Sequence, residues 1–224
     1  MLGRAAVAIW CDIAPQVEAE FSDWHTHEHI PERVAIPGFV RGTRCKAVAG
    51  EGYFMLYEVK RLAVLTEGPY LERLNDPTPW SRKMMPHHRN MVRSLCRVRA
   101  SFGGGVAPFL ATVRFSPSPR KSASVARWLS SELLPRLPAS RGLAGAQLLQ
   151  SQPTPSAETT EQKIRGGDRQ ADWIILASGY ELDALRKLLE TDLAASALEA
   201  HGALPGTVSG LYTLCYSLTE REVR

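Results

Sequence analysis

What the chain does not contain narrows its class first. No stretch approaches the roughly 20 consecutive apolar residues of a membrane-spanning helix. The apolar run in MLGRAAVAIWCDIAP stops at Asp12, which is short for a secretory signal. There is no G-x-G-x-x-G, no P-loop and no G-x-S-x-G, so the usual nucleotide-cradling and serine-nucleophile signatures are missing. Cysteine is scarce: Cys11, Cys45, Cys96 and Cys215 stand singly in apolar, strand-like surroundings, with no C-x-x-C pair. That pattern reads as buried, reduced thiols in a cytoplasmic protein rather than a disulfide framework. Dense basic runs are missing too. The 27 Lys and Arg against 23 Asp and Glu are scattered along the chain, so no nucleic-acid footprint is visible. The surplus of +4 leans only weakly toward an acidic or carboxylate-bearing ligand. With 44% apolar and 22% charged residues, the remainder is an ordinary soluble composition.

What is present concentrates in residues 21–44, FSDWHTHEHIPERVAIPGFVRGTR. His25, His27, His29, Glu28 and Trp24 crowd one short segment, followed by Pro31, Arg33 and the pair Pro37-Gly38. Apolar spacing predicts an amphipathic helix from about Ala14 that breaks near Pro31, then a turn at Pro37-Gly38 and a strand from Phe39. A diluted copy of this stretch follows at one offset: Trp24 matches Trp128 (128 − 24 = 104), Glu28 matches Glu132, Pro31 matches Pro135 and Gly38 matches Gly142. The histidines do not recur; His25, His27 and His29 face Leu129, Ser131 and Leu133. Features held in both copies read as scaffold, and those confined to the first read as functional candidates.

Taken in order, residues 5–13, 39–48, 53–59 and 92–101 read as strands, with helices from Pro15 and over 61–76, where Gly68-Pro69 interrupts or starts the second. Residues 76–90 read as an irregular loop with a short helical turn. After the joint at Phe102-Gly103-Gly104-Gly105 the order repeats: strands at 109–116, 142–151, 171–180 and 209–218, and helices at 124–137 and 181–201. Residues 153–170, polar with Pro and Gly, read as a mobile hairpin loop that the first half lacks. The expectation is an α+β protein of two ferredoxin-like βαββαβ modules in tandem, 1–105 and 106–224. Each module is marginal alone, so their antiparallel sheets would pack face to face as an α/β barrel with room for a ligand between them.

The string DWHTHEHIPERVAIPGFVRGTR resembles the helix-turn-strand signature of the dimeric α/β-barrel superfamily, and most of all the EthD-like proteins, with their EH-x-P-E-R segment followed by P-G-F. The likeness is good over 1–105 and fainter over 106–224. It implies fold and ligand type more than activity, because the superfamily holds monooxygenases, isomerases, decarboxylases and cyclases. It also implies a small, largely apolar or aromatic ligand between sheet and helix, with no metal or organic cofactor. Members usually pair two single modules, whereas this chain carries both; oligomeric state stays open, a homodimer included.

His25, Glu28 and His29 fit H-x-x-E-H, a pattern that can hold zinc in a metal-dependent hydrolase, but no third ligand is evident and Pro31 follows too closely for the long helix such a site uses. Acid–base chemistry asks for less, since an imidazole exchanges protons near neutral pH. His29 is the first candidate, with Glu28 or Glu32 to orient its ring. His25, one turn back on the same face, is the second, and His27 points to solvent. Both could instead be plain capping or surface residues. Arg33 either pairs with Glu28 or Glu32 or takes a ligand carboxylate. Trp10, Trp24, Phe54 and Tyr57 are candidate pocket walls, or simply core. Residues 80–89, WSRKMMPHHR, suit a lid that brings Arg82 and His88 (or His87) to a pocket mouth.

Overall fold

The computed structural model describes residues 1–66, 68–153 and 158–223. In chain order the elements are β1 (Ala5–Ile13), α1 (Glu18–Trp24), a π turn (His25–His29), α2 (Ile30–Val34), β2 (Phe39–Ala47), β3 (Gly52–Val59), α3 (Gly68–Asn75), α4 (Pro79–Met84) and β4 (His88–Gly103). Then follow β5 (Phe109–Phe115), α5 (Ser122–Trp128), a second π turn (Leu129–Leu133), β6 (Leu143–Ser151), α6 (Thr160–Arg165), β7 (Trp173–Gly179), α7 (Leu182–Glu190), α8 (Ala195–His201) and β8 (Val208–Thr219). The class is α+β, with the β-α-β-β-α-β order of ferredoxin-like units and antiparallel strand pairing.

Two compact units result. The first comprises Leu2–Arg97, Gln152–Gln170 and Cys215–Arg224; the second comprises Met1, Val98–Ser151 and Ala171–Leu214. In the first, the ladder order is β4-β1-β3-β2-β8. Its register pairs Ile9 with Met55 on one side and with Arg93 on the other. Side chains alternate along a strand, so Val7, Ile9, Met55 and Tyr57 share the face that packs under the helices. That core centres on Phe21, Trp24, Ile30 and Phe39. In the second unit the order is β8-β5-β7-β6-β4, and Val113, Leu129, Leu134, Leu148 and Leu185 fill the space beneath its helices.

The helix expected to break at Pro31 instead continues to Val34. The reason is the π turn. Ile30 N–H bonds to the carbonyl of His25, five residues back, and this one-residue shift puts Pro31 in the first turn of α2, where its missing N–H costs little. The second unit repeats the device: Leu134 N–H bonds to Leu129, and Pro135 opens the turn that follows. Gly38 and Gly142, at φ 97° and 83°, make the turns that lead from both helical runs into β2 and β6, in a conformation that L side chains disfavour. Shared π turns therefore belong to the scaffold, whatever the histidines do.

Four other expectations are corrected. Residues 158–170 are not a loose hairpin: α6 starts with a capping box, Thr159 against Gln162, and ends at Gly166 in the left-handed region. Residues 154–157 of that stretch lie outside the described residues. The helix over 181–201 is two helices, because the backbone turns out of helical geometry at Thr191. In the 76–90 stretch, Pro79–Met84 is a regular helix capped by the Thr78 side chain. Finally, Cys11, Cys45 and Cys96 are buried but Cys215 is exposed.

Candidate functional site

The first unit holds a small cavity between its helices and its sheet. His25, His29 and Arg33 face it from the helical run, Ile9, Met55, Tyr57 and Arg93 from the strands, His88 from the start of β4, and Glu161 and Arg165 from α6. His25, His29 and Arg33 recur every four residues, and the wide π turn keeps them on one stripe. All three are buried, at 1%, 8% and 3% exposure. The cavity measures about 30 Å³. A single water needs roughly 10–15 Å³ by this measure, and an apolar cavity of about 150 Å³ is known to admit benzene. As it stands, the space is water-sized.

Phe21 and Trp24 support the three imidazoles. Trp24 lies 4.4 Å from the His29 ring and 5.8 Å, edge-on, from His88. Phe21 contacts His25 at 5.3 Å and His88 at 5.6 Å. The rings of His25 and His29 are 5.3 Å apart. His25 Nε2 is 3.3 Å from the Tyr57 hydroxyl. Among the described residues the Nδ1 atoms of His25 and His29 are buried without a hydrogen-bond partner, a cost that native proteins seldom accept without a use for it. His88 is oriented: its Nδ1 lies 3.2 Å from the carbonyl oxygens of both Met84 and Met85. Carbonyls only accept, so Nδ1 carries the proton and Nε2 the lone pair.

Burial holds all three imidazoles neutral. It takes His25 and His29 well below the ordinary value, with Arg44 adding most to the effect at His25 and Arg33 at His29. His88 comes down to about 4, chiefly by burial and then by Arg165. Burial likewise raises the Tyr57 phenol, so it remains an O–H. The charged wall is mostly paired. Arg33 donates to Glu32 at 3.2 Å and to Glu161, and Arg165 grips Asp168 at 2.7 Å. Arg93, at 5% exposure, donates to the Tyr70 hydroxyl at 2.7 Å.

Of the residues expected at a site, His25, His29, Arg33, Tyr57 and His88 line the cavity together. Trp24 lies beneath it as the support of His29. Trp10 and Phe54 do not reach it: they pair across β1 and β3 with rings 4.9 Å apart, on the opposite sheet face from Ile9 and Met55. Arg82 is exposed and donates to the Pro77 carbonyl. Glu28 does not orient His29; it accepts from Trp24 Nε1 at 3.1 Å, Thr78 at 2.6 Å and Ser81 at 3.3 Å, tying the helical run to α4. Glu32 pairs with Arg33 and Arg73. With Glu28 drawn away, H-x-x-E-H is not assembled, and among the described residues no group of three His, Cys, Asp or Glu is placed to hold a metal ion.

Sequence reading missed Arg93, Glu161 and Arg165. Arg93 carries no local signal. For α6 the signal exists in T-T-E-Q-K-I-R-G-G, which has a capping box at its start and glycine at its end.

No protein-family model matches the chain, and neither does any curated protein. Solved structures do. An anthrone oxidase-like protein aligns over 100% of this chain and 96% of its own, with a TM-score of 0.67 at 12% identity. A protein of Lactobacillus acidophilus provisionally assigned as a monooxygenase covers 97% of each chain, with a TM-score of 0.60 at 9% identity. An uncharacterized ferredoxin-fold protein from Listeria monocytogenes, related to antibiotic biosynthesis monooxygenases, covers 96% of each at 0.51 and 8%. Identities this low speak to the backbone alone, and this chain shares the ferredoxin-like α+β fold of those proteins.

Proposed function

We propose that the first unit binds a small, largely apolar or aromatic metabolite and moves a proton on it without a cofactor, in an isomerase, lyase or monooxygenase type of reaction. One observation carries this reading. Three neutral, buried imidazoles converge on a single cavity, and the two on the helical run stand where the second unit has leucines. In this scheme His29 takes a proton from a C–H or O–H of the ligand, assisted by His25, with His88 Nε2 as partner. The electron pair stays on the ligand, where the Arg33 guanidinium holds the negative charge. Returned to another atom, the same proton completes an isomerisation with nothing else consumed; a monooxygenase type of reaction would add dioxygen as oxidant. An EthD-like kinship, a tandem origin and a place in aromatic catabolism belong to the same proposal. They are supported by the DWHTHEHIPERVAIPGF string and by π turns recurring at the offset already seen between the halves.

The competing reading is a binding or accessory protein in which the histidines only position a ligand; the water-sized cavity favours it over a preformed catalytic pocket. Native mass spectrometry of the purified protein, to identify a co-purified small molecule, followed by His29→Ala, separates the two. Catalysis predicts that turnover is lost while affinity stays within about tenfold, since a general base supplies roughly 10²–10⁴ in rate. No turnover in either form, with altered affinity, overturns it.

A further inference from the structure

We infer that the cavity is an anion site closed by its own chain: the Glu161 carboxylate, carried on α6, occupies the place that a ligand's carboxylate or phenolate takes against Arg33. This deepens the reading above and rests on it, since it names the class of molecule that the histidine cavity accepts.

Two guanidinium groups line the cavity from the fixed parts of the unit. Arg33 comes from α2 and Arg93 from β4, and both are more than nine-tenths buried. Arg93 meets only the neutral Tyr70 hydroxyl, with no carboxylate at salt-bridge distance among the described residues. Arg33 is balanced by Glu161, which is 2% exposed and arrives on a segment inserted between β6 and β7. In the first half the corresponding strands, β2 and β3, are joined by a short turn. The cavity is thus completed by a carboxylate that the basic fold does not require.

The segment joins the fixed part of the unit through a glycine pair, and in this inference it pivots there. Past α6 the chain is fixed: Arg93 N–H donates to the Arg169 carbonyl at 2.8 Å, and Arg169 N–H to the Met91 carbonyl at 3.1 Å. Between that anchor and α6 lie Gly166 and Gly167, at φ 84° and 86°. A side chain added at either would meet no atom within 4 Å, so the glycines serve the left-handed backbone that caps α6, with Gly167 N–H on the Gln162 carbonyl at 2.9 Å, and not close packing. α6 is held to α3 by a bond from Thr160 N–H to Asn75 Oδ1 at 3.0 Å, and to Asp168, past the glycines, by Gln162 and Arg165. A pivot at the glycine pair exchanges the Arg165 and Gln162 bonds to Asp168, which span it, for withdrawal of Glu161 and a wider space where only water now fits.

Charge then selects the ligand. A neutral molecule that displaced Glu161 would leave Arg33 buried with half its pairing gone, which is strongly unfavourable. An anion replaces Glu161 one for one, and Arg93, which donates to the Tyr70 hydroxyl and has no carboxylate at salt-bridge distance among the described residues, adds a second donor set. An anionic ligand also favours protonation of the neighbouring imidazoles, which burial disfavours, and so restores their capacity to accept a proton.

The test compares benzoate with its neutral isostere benzamide by calorimetry and by histidine imidazole NMR, on the wild type and on Glu161→Gln. Glu161→Gln is expected to bind benzoate at least tenfold tighter than wild type, with benzamide changed less than twofold. Hydrogen exchange on the wild type guards against a folding defect in the variant: benzoate should speed exchange of the amides of 160–165, and benzamide should not. Benzoate affinity equal in both proteins, or slower exchange in α6 on binding, overturns the inference. If both probes bind alike and shift the His25 and His29 signals, the histidine pocket stands and the anion site falls. If neither probe shifts them in either protein, both fall.

Discussion

His29→Leu should make the protein more stable. Leu133 occupies the equivalent position of the second π turn and is fully accommodated there, so the backbone tolerates leucine at this site. In the first unit the histidine leaves Nδ1 buried with no partner among the described residues, a defect worth about 1–3 kcal/mol. Leucine removes that atom and sets an apolar side chain against Trp24, where the imidazole now lies at 4.4 Å. Imperfect fit of a branched side chain offsets part of the gain, so a net of about 1–2 kcal/mol is expected. For a chain of this size that raises Tm by about 2–4 °C per kcal/mol. The gain should also grow as pH falls. Folded His29 resists protonation while the unfolded histidine takes a proton below about 6.5, so the wild type loses stability as pH drops through that value; the leucine variant lacks this share of the loss and keeps those of His25 and His88. Urea unfolding at pH 7.5 and 5.5, followed by both circular dichroism and tryptophan fluorescence, measures both effects. A loss of more than about 1 kcal/mol at pH 7.5 would refute the reasoning, for it would mean that the imidazole holds the fold and is not tolerated at its expense.

Two more outcomes follow from the same contacts. His88, held down to about 4 by burial, should titrate near that value by NMR. Its contribution to stability is whole above pH 6.5 and falls by about 3 kcal/mol on the way to pH 4, at 1.36 kcal/mol per pH unit; a midpoint near 6.5 would contradict its neutral, carbonyl-bound form. Glu28→Ala should cost about 2–3 kcal/mol in urea unfolding, because Trp24, Thr78 and Ser81 lose a shared acceptor. A zinc-hydrolase role for Glu28 as general base would instead predict lost hydrolysis with the metal retained and little change in stability.

The sequence by itself determined whatever depends on near neighbours. Strand positions follow from β-rich runs, the Pro37-Gly38 turn from its residues, and the common stripe of His25, His29 and Arg33 from their four-residue spacing. Each is local, because backbone sterics and helical periodicity act over a few residues. The continuation through Pro31 was not legible, since a π turn and a break differ by one hydrogen bond whose balance is set by packing on the sheet. Strand alternation put Trp10 and Phe54 on one face of the sheet, but which face the helices cover belongs to the tertiary structure. The same holds for Glu28, drawn to Thr78 and Ser81 some fifty residues away. Most of all it holds for Arg33, whose partner Glu161 is 128 residues further along the chain. Burying Arg33 is costly unless its charge is paired, and only the folded chain decides which carboxylate pairs it.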